Sequence, residues 1–290
     1  MNSFLQLNTI FISILIEAIP FVLIGVFIAG FIQMFVSEEM VAKVVPKNRF
    51  LAVLYGALVG AIFPACECGI VPIVRRLLLK GVPLHTAIAF MLTGPIINPV
   101  VLFSTFIAFG NQWDMVWYRG GLALIIALII GILISIHFKG NELLKQAAHP
   151  HCHHPSAQTF MQKLVGMLRH AVDEFFSVGK YLIIGAFIAA AMQTYLKTST
   201  LLEIGQTDQS SSLVMMGLAF VLSLCSEADA FIASSFRGTF STGALVAFLV
   251  YGPMVDIKNM LMMLSVFNKR FVAILIGYIT LFVFIGSLLI

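Results

Sequence analysis

The sequence predicts an all-α, polytopic membrane protein with about eight hydrophobic segments arranged in two repeated halves. Three observations carry that expectation. The first is composition: of 290 residues, 60% are hydrophobic and only 10% charged, with a mean hydropathy of +1.02. A soluble domain carries roughly 25% charged residues, so charges this sparse cannot cover a water-facing surface. The second is segment length, since a spanning helix needs about 20 apolar residues and the chain offers such stretches at 8–36, 50–74, 83–109, 118–138, 176–196, 212–236, 241–265 and 270–290. The third is an internal repeat that recurs at matched stations in the same order.

The first segment lacks a basic leading region and an A-x-A-like cleavage site, so it reads as a retained transmembrane helix rather than a signal peptide. Its Gly25-Val-Phe-Ile-Ala-Gly-Phe-Ile-Gln33 run matches Gly185-Ala-Phe-Ile-Ala-Ala-Ala-Met-Gln193 in the fifth. In the second and sixth segments Cys68 matches Cys225, each followed at equal distance by a basic residue and glycine, Lys80-Gly81 and Arg237-Gly238. In the third and seventh, Gly94-Pro95-Ile-Ile-Asn98 matches Gly252-Pro253-Met-Val-Asp256. The expected organisation is a first transmembrane repeat over 1–138, a polar His-containing linker over 139–175 with an amphipathic lead-in at 158–172, and a second repeat over 176–290. Repeats of this kind are typical of transporters.

Charge predicts how the halves relate. If all eight segments span, Lys and Arg divide evenly between the two sides, eight against eight, with Lys180 inside a helix. If 50–74 and 212–236 instead enter and leave on one side, loops 37–49, 75–82, 139–170 and 257–270 share a face and gather thirteen of the seventeen basic residues. The opposite face then holds three, Arg119, Lys197 and Arg237. The positive-inside rule favours the second arrangement: an inverted repeat with broken, re-entrant segments at the midplane and both termini outside. Eight plain helices with a weak charge bias is the alternative. The net charge of +4 fits basic loops and gives no reason to expect nucleic acid as a partner.

The chemistry sits in three places. Cys66-Glu67-Cys68-Gly69 lies between Pro64 and Pro72, where regular helix is not expected. Two thiols flanking a carboxylate suit a soft metal or metalloid; packing cysteines or a strained Cys-x-Cys disulfide are the alternatives. Cys225-Ser226-Glu227-Ala228-Asp229 offers one thiol and two carboxylates for a cation or proton, or a pair of acids bridged to Lys180 or Arg237. The Gly-Pro pairs are expected to break their helices and free carbonyls, with Asn98 and Asp256 three residues beyond each proline; a simple kink is the alternative. Glu17, three residues before Pro20, reads as a proton carrier or a structural hydrogen-bond partner.

A carboxylate at membrane depth costs about 2.5–3.5 kcal/mol on insertion scales, so Glu17, Glu67, Glu227, Asp229 and Asp256 must face a cavity, pair with donors or carry protons. The substrate-binding candidates are Cys66, Glu67, Cys68, Asn98, Cys225, Glu227, Asp229 and Asp256; the proton-coupling candidates are Glu17, Glu67, Glu227 and Asp229. Metal-ligating candidates are Cys66, Cys68 and Cys225, with His149, His151, Cys152, His153 and His154 of the linker as a second set. Met260, Met262 and Met263 read as packing or lipid-facing surface. No P-loop, dinucleotide fingerprint, H-E-x-x-H or G-x-S-x-G motif occurs, so no enzyme activity and no cofactor are expected.

Over nearly its whole length the chain resembles the predicted permease family that includes ArsP-type organoarsenical efflux permeases and YraQ-type proteins. The resemblance rests on Phe63-Pro-Ala-Cys-Glu-Cys-Gly-Ile-Val-Pro72, Gly81-Val-Pro83, Gly94-Pro-Ile-Ile-Asn-Pro99, Glu17-Ala-Ile-Pro-Phe21 and the Ser226–Asp229 run. It implies a multi-pass plasma-membrane permease for a small solute, with metal or metalloid substrates known for some members, and places Cys66 and Cys68 at the family's cysteine motif. It also implies a small companion membrane protein. The expected function is therefore permeation of a small solute, including a thiophilic metal or organometalloid, by alternating access. The alternative is a non-transporting scaffold or metal-delivery subunit working with that companion. Lipid surrounds the chain in either case.

Overall fold

The computed structural model describes residues 2–63, 66–138, 160–195 and 208–290, and these are all-helical. Six helical stretches are long and apolar enough to cross a membrane: Ser3–Phe35, Leu84–Ala108, Asp114–His137, Leu164–Tyr195, Thr242–Val266 and Lys269–Ser287. Among the described residues the spans therefore number six, against an expectation of about eight segments, and Arg49–Ile62 and Ser210–Leu222 are apolar helices that fall short of a spanning length.

The chain opens with a long helix α1 (Asn2–Phe35) and a short α2 (Glu38–Val44), whose N-terminus is capped by Ser37 Oγ accepting from the Met40 amide at 3.2 Å. The second segment is two helices, α3 (Arg49–Ile62) and α4 (Glu67–Leu79). The expectation of irregular backbone through Cys66–Gly69 is corrected here. Cys66 is the N-cap and Glu67 opens α4, so Glu67 and Cys68 stand in its first turn. Pro72 is tolerated inside α4, although its missing N–H leaves the Cys68 carbonyl without a helical donor.

The next span joins α5 (Leu84–Ile97) to α6 (Pro99–Ala108), and α7 (Asp114–His137) closes the first half. α8 (Phe160–Tyr195) crosses the expected linker boundary at 175–176 as one continuous helix. The second half continues with α9 (Asp208–Leu222), α10 (Ser226–Ser235), α11 (Thr242–Met254), α12 (Ile257–Val266) and α13 (Lys269–Ser287). The Gly-Pro pairs do not end their helices as expected. Pro95 and Pro253 lie inside α5 and α11, and the breaks come a few residues later, at Asn98 and at Val255–Asp256. There the side chains take over as N-caps: Asn98 Oδ1 accepts from the Val101 amide at 3.0 Å and Asp256 Oδ1 from the Asn259 amide at 2.6 Å.

Contacts fix helix directions. On α3, Gly56 faces Thr86 and Gly60 faces Phe90 and Thr93, so α3 runs parallel to α5. α4 returns antiparallel to α5, with Ile70 against Gly94. The second half repeats this: Ala219 of α9 and Asp229 of α10 both meet Gly252 of α11, and Ser223 Oγ accepts from the Ile257 amide at 3.2 Å. At one end of the bundle Arg49 Nη1 donates to the Ser135 carbonyl at 3.4 Å, and Tyr278 Oη lies 3.2 Å from His137 Nδ1. At the other, Arg237 Nη1 donates to the Phe109 carbonyl at 3.3 Å and Gly243 touches Ser287.

The matched glycines Gly25 and Gly185 both seat a close helix contact, but against helices that do not correspond in the two halves. A Cβ on Gly25 would lie 2.4 Å from the Gly69 carbonyl oxygen, so only glycine lets α1 meet α4 there. A Cβ on Gly185 would lie 2.9 Å from Lys258 Cα, so α8 comes close to α12 there. Met262 and Met263 are fully buried, which makes them packing rather than lipid-facing residues.

Candidate permeation site

The breaks between α3 and α4, α9 and α10, and α11 and α12 converge. A narrow cavity between them is lined by Glu17, Ala18 and Phe21 of α1, by Cys66, Glu67 and Cys68, and by Cys225 and Lys258. All three thiols are buried and free of disulfides, which removes the Cys-x-Cys bridge as a reading.

Glu67 is the centre of the site. It is 1% exposed. Its Oε2 accepts from Ser226 Oγ at 3.1 Å, and its Oε1 has no hydrogen-bond donor but lies 4.0 Å from Lys258 Nζ. The same ammonium is 3.7 Å from Asp256 Oδ2. Glu67 comes from the first half and Asp256 from the second, so one lysine joins carboxylates of both. Asp229 is 1% exposed and sits against Gly252, with its Oδ2 lacking a donor. Cys225 Sγ donates to Glu227 Oε2 at 2.8 Å.

A second cation backs the site. Arg119 is 0% exposed, and its guanidinium donates to Thr105 Oγ1 at 2.7 Å and to the Ser226 carbonyl at 3.0 Å. Asp229 is the strongest of the negative charges acting on it. This corrects two expectations. Arg119 is not a loop residue on the cation-poor face, and Lys180 and Arg237 do not partner the second-half acids. Lys180 stacks over Tyr181, and Arg237 bonds Phe109 and Gln112. Lys258, counted by sequence with a basic loop, is likewise buried inside α12.

The predicted residues therefore separate. Cys66, Glu67, Cys68, Cys225 and Glu17 share the cavity. Glu227, Asp229 and Asp256 stand around it through Cys225, Arg119 and Lys258. Asn98 does not line the cavity; its side chain caps α6. Among the described residues no three of His, Cys, Asp and Glu are arranged to hold a metal ion. His149, His151, Cys152, His153 and His154 lie outside the described residues. Sequence reading missed Lys258, Arg119 and Ser226 as site residues. The one signal was position: Lys258 follows the Asp256 station by two residues, but it also borders a basic loop.

The family model described as predicted permease matches residues 3–290. The chain belongs to the predicted permease family. It is a multi-pass membrane protein. Among relatives of this family member, YcgR of Bacillus subtilis strain 168 is 73% identical over 289 residues, covering 100% of this chain and 98% of the relative. A protein of Streptococcus mutans named as a two-component membrane permease complex subunit is 49% identical over 290 residues, covering 100% and 96%. YraQ of Escherichia coli K12 is 25% identical over 112 residues, covering 39% and 32%. No solved structure matches the chain.

Proposed function

We propose that the chain is a secondary permease that moves a small solute, including a thiophilic metal or organometalloid, by alternating access through the Glu67 site. The observation that carries this reading is the cluster of buried charges from both halves, Glu67 with Lys258 and Asp256, set beside three buried thiols at the ends of broken helices. Buried charges are costly in a membrane and are kept where they line a path. Helix ends at such breaks aim oriented dipoles into the site. Cys66, Cys68 and Cys225 are not arranged as a resident metal site, and would instead present soft thiols to a passing solute, while Glu17, Glu67, Glu227 and Asp229 would carry protons. The double variant Cys66→Ser, Cys68→Ser is expected to reach the membrane in normal amount and to lose solute flux in vesicles and resistance in a deletion strain challenged with metals and organometalloids. Undiminished flux would remove the thiol mechanism.

We further infer that the halves are inverted. The α3–α4 pair opens toward the end that holds Arg49 and His137, and the α9–α10 pair toward the end that holds Arg237. Withdrawing Lys258 from the thirteen loop cations and Arg119 from the three leaves twelve against two, so the charge asymmetry survives burial of both. Reporter fusions are expected to place Gly81 in the cytoplasm and Gly238 outside; finding Gly81 outside contradicts the inverted arrangement.

A second reading, a subunit acting with a companion membrane protein, is favoured by the name of the Streptococcus mutans relative. Reconstituted chain that moves no solute alone, but does so with its companion present, would support it.

A further inference from the structure

Lys258 is held in an unusual balance. Its side chain is 3% exposed. Its ammonium stands 4.0 Å from Glu67 Oε1 and 3.7 Å from Asp256 Oδ2, and both oxygens are buried without a hydrogen-bond donor. The remaining oxygen of each carboxylate is already held, Glu67 Oε2 by Ser226 Oγ at 3.1 Å and Asp256 Oδ1 by the Asn259 amide at 2.6 Å. Each acid therefore turns one unmet oxygen toward the same cation. A charge-assisted N–H···O bond is about 2.7–2.9 Å long, so the lysine is shared loosely between the two. It also forms part of the wall of the cavity that Glu67, Cys66 and Cys68 line.

We propose that the Lys258 ammonium is a tethered cation which offsets part of the negative charge of the empty site, and that the species moved through the site is itself a cation that displaces Lys258 from Glu67 toward Asp256. This rests on the permease reading. A cation arriving at Glu67 repels the ammonium, and Asp256, 3.7 Å away, keeps the lysine paired as it leaves. The backbone of Lys258 is pinned against Gly185 of α8, so the movement belongs to the four-carbon side chain. The other charges around the site agree in sign. Glu17 comes from α1 and Glu227 and Asp229 from α10, while Arg119 of α7 is spent on Thr105 and Ser226. An oxyanion would enter against this field, and a neutral solute would leave Lys258 where it is.

The test needs no knowledge of the cargo. Thermal unfolding of the purified full chain in detergent is followed at constant ionic strength and pH 8, in sodium or potassium chloride and in choline chloride. The wild-type midpoint is expected to be the same in all three. Lys258→Gln leaves Glu67 and Asp256 without a counter-charge, and its midpoint is expected to fall in choline and recover by several degrees in sodium or potassium, because a ligand that binds only the folded state stabilises it. The double variant Glu67→Gln, Lys258→Gln, which leaves Asp256 as the one unmatched carboxylate of the pair, is expected to show a smaller cation dependence than Lys258→Gln, and adding Asp256→Asn is expected to abolish it. A Lys258→Gln protein equally stable in all three salts would overturn the proposal. If Lys258→Gln does not accumulate, recovery of the double variant supports a charge role, and failure of both shows that Lys258 serves packing alone. Wild-type vesicles that move no solute would remove the permease reading while leaving the salt result intact, so the two failures are distinguishable.

Discussion

Glu174→Ala is expected to destabilise the protein by about 3–5 kcal/mol, the cost of removing one partner from a buried ion pair. Glu174 lies on α8 at 2% exposure and takes two guanidinium groups from consecutive residues of α4. Arg75 Nη1 reaches its Oε1 at 2.7 Å, and Arg76 Nη2 reaches its Oε2 at 2.5 Å. Both carboxylate oxygens are used, so the pair of bonds fixes the C-terminal half of α4 to α8. Alanine leaves both guanidinium groups largely shut off from water with their main acceptor gone. The measurement is the unfolding midpoint in mixed micelles. The triple variant Arg75→Ala, Arg76→Ala, Glu174→Ala should recover most of the loss, because deleting an ion cluster together removes the desolvation cost along with the attraction. A loss below about 1 kcal/mol for the single variant would mean the cluster is hydrated in the membrane-embedded protein.

Arg119→Leu is expected to cost about 1–3 kcal/mol, the penalty of leaving a buried polar group without its hydrogen-bond partner. This guanidinium is fully buried where α6, α7 and α10 meet and bonds Thr105 and the Ser226 carbonyl directly, so its support of Asp229 acts through space rather than through an ion pair. Leucine fills the space but leaves Asp229 as a buried charge with no nearby cation. Adding Asp229→Asn should restore a substantial part of the stability, since the uncompensated charge is then gone. If the second change restores nothing, the loss comes from the Thr105 and Ser226 bonds and the electrostatic account of Arg119 fails. A double-mutant cycle on unfolding midpoints separates the two.

Both residues show where sequence reading stopped. Glu174 fell in the last residues of what read as a polar linker, beyond its amphipathic lead-in, and nothing local marks it as the acceptor for Arg75 and Arg76, ninety-nine and ninety-eight positions away. Arg119 and Lys258 border short polar stretches, so a count of basic residues assigns them to loops. Lys258 is instead the counter-charge of two acids that the sequence had already singled out, and Arg119 is buried against Thr105 and Ser226. The error has one cause. Hydropathy treats a cation near a segment end as facing water, whereas a long side chain can turn inward to meet a carboxylate on another helix. The Gly-Pro motifs were misplaced by about one turn, because proline removes an N–H but does not forbid the turn that follows it, and Asn98 and Asp256 end that turn as caps.

The sequence alone determined the membrane class and the family, and it singled out most of the acids and thiols that line or surround the cavity. Those follow from local properties: sparse charge, apolar length, and the high cost of an acid in an apolar segment. Only the tertiary structure decided which of these residues meet. Glu67 and Asp256 are one hundred and eighty-nine positions apart in the chain, and what joins them is a lysine whose place depends on α8 lying close against α12 at Gly185. Pairing of buried charges is a property of packed helices, and a linear pattern of hydropathy carries no record of it.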